Sequence, residues 1–256
     1  MSFIKYRFSS NVLRMDTEVN VILPDSQLKQ GRRYPVLYLL HGAGGDCDSW
    51  MRNSSIERYA KKQELAVVMP SAYNSCYADM VYGMPYFTFL SEELPHRLEN
   101  LLPVADEPEN RFVAGLSMGG RGAFLWAMRR PDFFKGAACL SGSLDIAAMA
   151  ERMKAEGDQS TLKRFHSAFG PLEELGAEND VYHLARKISK ALETCPKFLY
   201  MCGLEDERYE EQFLPFLSYC KEIGLPMDSL DGHGIHDFDY WDWAIQQAIV
   251  WMKHLE

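Results

Sequence analysis

The segment RFVAGLSMGGRGAF contains the pattern G-x-S-x-G from Gly115 to Gly119, with Ser117 at its centre. A serine hydroxyl is a weak nucleophile at neutral pH, so Ser117 can do acyl-transfer chemistry only if a base removes its proton as it attacks. By composition alone the five-residue pattern would arise about 0.1 times in a chain of this size, so its context must carry the argument. An apolar run precedes it and a helical pattern opening on small residues follows. A sharp strand-to-helix turn at that junction would expose the central hydroxyl, and the flanking glycines would let strand and helix approach without a Cβ clash.

Histidine, with an ordinary pKa near 6.5, is the suited base. Where such a turn carries a nucleophile in a parallel sheet, the acid and then the histidine follow on loops after later strands. The late histidines are His233 and His236 in DGHGIHDFDYWDW, and His254 near the end of the terminal helical pattern. His236 ranks first. The acid should follow KFLYMCG, where GLEDERY offers Glu205, Asp206 and Glu207. Spacing does not choose between Glu205 and Asp206, and a solvated helix start accounts for acidic residues not used in chemistry.

An acyl-transfer site also needs donors for the oxyanion. Met118, at the helix start after Ser117, offers one backbone NH, and the glycine-rich HGAGGD that follows VLYLL can turn another toward the same point. Read alone, HGAGG is equally an ordinary glycine turn. A metal site built from His233, His236 and Asp237 fits none of the usual zinc spacings, and no cysteine lies near in sequence. No metal and no cofactor is expected.

The elements that must position these groups are legible as changes of pattern. Phe3 to Ser9 and Asp16 to Leu23 alternate apolar and polar residues around SSN, the signature of an antiparallel hairpin at a sheet edge. From Tyr34 the pattern becomes short apolar runs, YPVLYLL, LAVVMP, RFVAG, GAACLSG and KFLYMCG, each suited to a strand buried on both faces. Helical patterns lie between them at 55–63, 86–102, 119–130 and 207–223. The expected fold is therefore α/β: a mostly parallel central sheet with an N-terminal antiparallel hairpin and helices on both faces. The stretch 144–193 is too long for one crossover helix and is broken by Gly157, Gly170, Pro171 and Gly176, which predicts a helical insertion over one end of the sheet, either packing decoration or a lid. Trp241, Ala244, Ile245, Ala248, Ile249 and Met252 share one face of a final helix.

The chain has 256 residues, enough to bury about three quarters of its unfolded surface as one domain spanning 1–256. Its formal charge of −9, without a run of Lys or Arg, argues against nucleic acid as a partner. The N-terminus builds no apolar run of signal or membrane length, so a cytoplasmic protein acting on a small neutral substrate, with no membrane partner, is expected. A homo-oligomer is left open. The six cysteines, at 47, 76, 139, 195, 202 and 220, lack metal-finger spacing and read as reduced thiols.

Taken together, YLLHGAGGDCDSW at 38–50, VVMPSAYNSCYADMVYG at 67–83, FLSEELP at 89–95, AGLSMGGRGAF at 114–124, CGLEDERY at 202–209 and GIHDFDYWD at 234–242 resemble the esterase D-like family of α/β-hydrolases. Within it the chain is most similar to tributyrin or acetyl esterases, with feruloyl esterases close by. The resemblance implies a triad of Ser117, Asp206 and His236, with oxyanion NH groups from Ala43 and Met118. It selects Asp206 because the family's aspartate stands three residues after the strand-end glycine, here Gly203. It selects His236 because aromatics follow it, here Phe238, Tyr240 and Trp241. S-formylglutathione hydrolases, a sister branch, carry SGLTC where this chain has HGAGG.

The resulting expectation is a serine carboxylesterase for short acyl esters, with acetylated sugars and feruloyl esters as further substrates. A glutathione thioesterase, a small peptidase or a non-catalytic binding protein on the same fold are the alternatives. Trp50, Tyr77, Tyr82, Tyr86 and Phe87 follow the second and third of these strands and are candidates to line the substrate pocket, against the alternative that they are core or surface aromatics.

Overall fold

Alternating residues build the hairpin and unbroken apolar runs build the sheet's interior. The computed structural model describes residues 1–24, 31 and 33–255. Strands β1 (Ser2–Ser10) and β2 (Met15–Leu23) pair antiparallel, and β1 forms one edge. The interior strands are β3 (Val36–Leu40), β4 (Ala66–Pro70), β5 (Arg111–Leu116), β6 (Gly136–Leu140) and β7 (Lys197–Gly203). With β8 (Asp228–Gly232) they complete an eight-stranded sheet of order β1-β2-β4-β3-β5-β6-β7-β8, parallel from β4 to β8. This is the expected α/β-hydrolase arrangement. Strand β8 has the sequence DSLDG and is largely exposed. It carries no apolar run because, as an edge strand, it buries neither face.

Between and after the strands lie α1 (Ser49–Asn53), α2 (Ile56–Gln63), α3 (Tyr86–Thr88), α4 (Leu94–Leu101), α5 (Met118–Arg129), α6 (Ile146–Glu156), α7 (Gln159–Phe169), α8 (Val181–Ile188), α9 (Leu214–Ile223) and α10 (Phe238–Lys253). One π turn, Phe89–Glu93, joins α3 to α4, and another, Tyr209–Phe213, leads into α9. Successive strand residues point to opposite faces, so β3 divides its side chains between two cores. Val36, Tyr38 and Leu40 pack under α4, α5, α8 and α9, while Leu37 and Leu39 pack under α2 and α10.

The 144–193 stretch divides in two. Helix α8 buries Val181, Leu184, Ala185 and Ile188 in the first core, so it is the crossover helix between β6 and β7. Helices α6 and α7 instead share a separate small core, with Met149, Met153, Phe165 and Phe169 packed on Cys76 and Ala78 of the loop after β4. Among the described residues no helix is long and apolar enough to cross a membrane.

Candidate active site

Ser117 stands directly after β5, beside the centre of the sheet, with φ 53° and ψ −117°. A non-glycine residue held there stores on the order of 1–3 kcal/mol of backbone strain, which the surroundings must over-determine. They do so at both ends. The Ser117 NH donates to Leu140 O at 2.7 Å. A Cβ on Gly115 would strike the backbone of Gly119, and one on Gly119 would lie 2.5 Å from His41 O. Only glycine fits at either flank, so the spacing of the motif is the spacing of two backbone contacts.

His236 Nε2 lies 2.9 Å from Ser117 Oγ, and its Nδ1 lies 2.7 Å from Asp206 Oδ2. The Asp206 side chain is fully buried, and its Oδ1 accepts the Arg208 backbone NH at 3.0 Å. Burial pushes the Asp206 pKa up, but the hydrogen bonds and charge of His236 and Arg208 outweigh it and hold the value at about 2. An ionised carboxylate can only accept, so Nδ1 carries the proton and Nε2 presents its lone pair to the serine hydroxyl. The loop is fixed locally. Gly203 at the end of β7 presses on Gly234, leaving no room for a Cβ, while Asp237 caps α10 through the NH groups of Asp239 and Tyr240. Trp241 sets its ring edge-to-face on His236 at 4.7 Å.

The rival groups are engaged elsewhere. Glu205 accepts from Gly234 N at 2.7 Å and binds exposed His233 Nδ1 at 2.8 Å. Glu207 pairs with Arg152 and with Arg208. His254 closes the far end of α10. His233, His236 and Asp237 therefore point to three different partners.

Neither the Ala43 NH nor the Met118 NH has a hydrogen-bond partner among the described residues, and Met118 is the first residue of α5, where a helix leaves its NH groups free. The two loops are adjacent, since a Cβ on Gly42 would come 3.6 Å from Ser117 Cβ. One positioning residue escaped the sequence reading. His41 is buried, its Nδ1 2.7 Å from Gly42 O, and its Nε2 accepts the Ala72 NH at 3.0 Å. Burial lowers its pKa, so the neutral ring donates from Nδ1 and stitches the HGAGG loop to the segment after β4. Its signal in the sequence was only its place before the glycines.

A cleft of about 440 Å³ opens over Ser117 and His236, walled by Ala43, Phe238 and Trp241 on the sheet side and by Met149, Met153 and Arg164 of the α6–α7 pair on the other. None of the aromatic candidates for the pocket lines it. Trp50 and Tyr77 are buried supports: Trp50 Nε1 donates to Leu40 O at 3.0 Å and the Tyr77 hydroxyl to His41 O at 2.8 Å. Tyr82 is exposed beside His166, Tyr86 lines a neighbouring groove, and Phe87 lies under the Arg129 guanidinium. Order along the chain showed these rings near the strand ends. It could not show that their polar atoms turn inward to backbone carbonyls.

A family model described as "Putative esterase" matches residues 10–252. The chain is 28% identical to an acetyl esterase of Caldicellulosiruptor saccharolyticus over 263 aligned positions, covering 99% of this chain and 98% of the relative. Among solved structures it is similar to the fluorophosphonate-binding serine hydrolase FphF of Staphylococcus aureus, at 33% identity and TM-score 0.90 with 98% of each chain covered. It is also similar to an S-formylglutathione hydrolase, FrmB, of the same organism, at 34% identity and TM-score 0.86 with 98% of each chain covered.

Proposed function

The chain belongs to the esterase family whose model spans residues 10–252, and from that premise we propose that this serine ester hydrolase cleaves short-chain acyl esters through an acyl-enzyme on Ser117. The observation that carries the reading is the pair of hydrogen bonds joining Ser117 Oγ to His236 at 2.9 Å and His236 to Asp206 at 2.7 Å. Ser117 Oγ attacks the ester carbonyl as His236 Nε2 takes its proton. The carbonyl oxygen, now anionic, is met by the NH groups of Ala43 and Met118, and each such donor is worth about 3–4 kcal/mol in related chemistry. His236 returns the proton to the departing alkoxide. Water then attacks the acyl-enzyme with His236 as base again, releasing the acid and restoring Ser117. Asp206 stays ionised throughout, stabilising the imidazolium formed in each half.

Short acyl groups fit a cleft of about 440 Å³ that Met149, Met153, Phe238 and Trp241 share with charged side chains, and the acetyl esterase relative is consistent with them. The decisive experiment is Ser117→Ala, assayed with p-nitrophenyl acetate and butyrate and by labelling with a fluorophosphonate. Hydrolysis and labelling should both vanish while circular dichroism is unchanged; full turnover by the purified variant refutes the assignment. Thioester cleavage is the second reading, favoured by the similarity to the S-formylglutathione hydrolase. S-formylglutathione run beside p-nitrophenyl esters, methyl ferulate and an acetylated xylose ranks the two.

A further inference from the structure

The cleft over Ser117 is lined by three arginines, Arg152, Arg164 and Arg208, and three carboxylates, Glu156, Asp158 and Glu207. Five of these six are already engaged. Arg152 pairs with Glu156 and Glu211, each at 2.7 Å, and with Glu207. Arg208 pairs with Glu207 at 3.0 Å and Asp206 at 3.4 Å, and its Nε donates to Ser143 Oγ. Asp158 caps α7 by accepting the Thr161 NH at 3.0 Å. Arg164 is different. Its one hydrogen bond is a long one from Nη2 to Thr161 Oγ1 at 3.3 Å, its Nε is buried without a partner, and no carboxylate lies within ion-pair distance of it among the described residues. Its other polar neighbours are the Cys76 thiol, whose pKa is raised by burial, and the Asp158 carboxylate, which feels the Arg164 charge from beyond ion-pair distance while it caps α7.

A guanidinium with a buried, unpartnered Nε and no ion-pair partner in a reaction cleft is poised for a planar oxyanion, which it can hold through two parallel hydrogen bonds. Arg164 also lines the adjoining groove of Tyr73, Met80, Met84 and Tyr86, so it stands where the two depressions meet. Ser117 and Arg164 line the same cleft. We propose that Arg164 is a specificity-determining residue that binds a carboxylate on the non-reacting part of the substrate, so that the preferred substrates are short esters bearing a remote negative charge. This rests on the Ser117 esterase reading. The neutral small ester expected from overall charge then becomes the poorer substrate: the net −9 describes the whole surface, whereas the cleft holds its own unpaired cation.

The test compares matched ester pairs on wild type, Arg164→Gln and Arg164→Lys: p-nitrophenyl butyrate against the p-nitrophenyl monoester of glutaric acid for the acyl side, and phenyl acetate against 4-acetoxybenzoate for the alcohol side. The readout is the ratio of kcat/KM for the charged ester to that for the neutral one. In wild type at least one ratio should exceed one and fall as salt is raised from 20 to 500 mM. It should drop tenfold or more in Arg164→Gln, with the larger part of the change in KM, and recover partly in Arg164→Lys. A ratio below one on both sides in wild type, or ratios unchanged by Arg164→Gln while both rates fall together, overturns the proposal. Failure of the esterase reading looks different, because wild type would then hydrolyse neither member of either pair. Should Arg164→Gln not fold, the salt dependence in wild type and the Arg164→Lys ratio still decide.

Discussion

The depressed pKa of Asp206 bears on both rate and stability. Asp206→Asn keeps the size of the side chain but lets its amide face Nδ1 as a donor, which favours the tautomer with the proton on Nε2, facing the serine. A loss in kcat of about 10⁴ is the size of effect this exchange produces in a comparable triad. Steady-state kinetics with p-nitrophenyl acetate checks it, and a loss under tenfold would remove Asp206 from the triad. The linkage follows from the same bonds. A carboxylate whose pKa is about 2 when folded, against about 3.9 when unfolded, stabilises the fold fully above about pH 4, and that contribution is lost as pH falls toward 2. His41 works in the opposite sense, because burial keeps it neutral. As pH falls below about 6.5 the unfolded chain takes up a proton that the folded ring resists, and stability declines. His41→Gln should therefore lose stability at pH 7 by about 1–3 kcal/mol, lose kcat through a loosened Ala43 NH, and show a smaller drop in Tm between pH 7 and 5 than wild type. Equal drops in the two proteins would mean that His41 is not the linked group.

At the scale of elements, the α6–α7 pair is tied to the rest by its small core, by the Val81 and Tyr82 NH groups donating to Ala168 O and Ser167 O, and by Arg152. Arg152 on α6 reaches Glu207, next to the catalytic acid proposed, and Glu211 in the π turn before α9. Each partly exposed pair is worth about 0–1 kcal/mol, so the network holds the pair of helices in place more than it stabilises the fold. Arg152→Met should raise amide hydrogen exchange across 146–169 while shifting Tm by only a few degrees, and added salt should bring wild type toward the variant. Exchange confined to wild-type levels would show that the apolar core of Met149, Met153 and Phe165 suffices. The same elements show where sequence reading succeeds and where it stops. The interior strands announce themselves because both faces are buried, and the elbow at Ser117 because only glycine fits beside it. The sequence did not distinguish α8, a crossover helix, from the α6–α7 cap, because helices that pack on the sheet and helices that pack on a loop carry the same periodicity. Trp50 and Tyr77 were legible as large rings but not as supports of the Leu40 and His41 carbonyls, since burial patterns are silent on where a polar atom points.

The whole molecule ends its sheet on two unlike edges. β1 alternates half-buried and exposed residues, and its cations are already matched, Lys5 with Glu18 and Asp48 and Arg7 with Asp16. β8 is five residues long, and its sequence DSLDG places an acid at either end of the exposed run around Leu230. Unpaired strand edges invite another chain to add, and short length with charge is the ordinary defence. Here the acids have second duties that hold them in place: Asp228 accepts from Trp251 Nε1 and Asp231 from the Tyr209 hydroxyl, each at 2.8 Å. Losing those two bonds should be a modest loss, about 1 kcal/mol each, whereas losing the charges opens the edge. Asp228→Val with Asp231→Val is therefore expected to keep esterase activity at low concentration and to associate as concentration rises, with the sedimentation coefficient climbing where wild type stays constant. Beta-branched residues suit an extended edge, so the direction of the effect is fixed by propensity as well as by charge. A sedimentation coefficient independent of concentration in the double variant would show that length alone protects β8, and that the acids are kept for the two side-chain bonds.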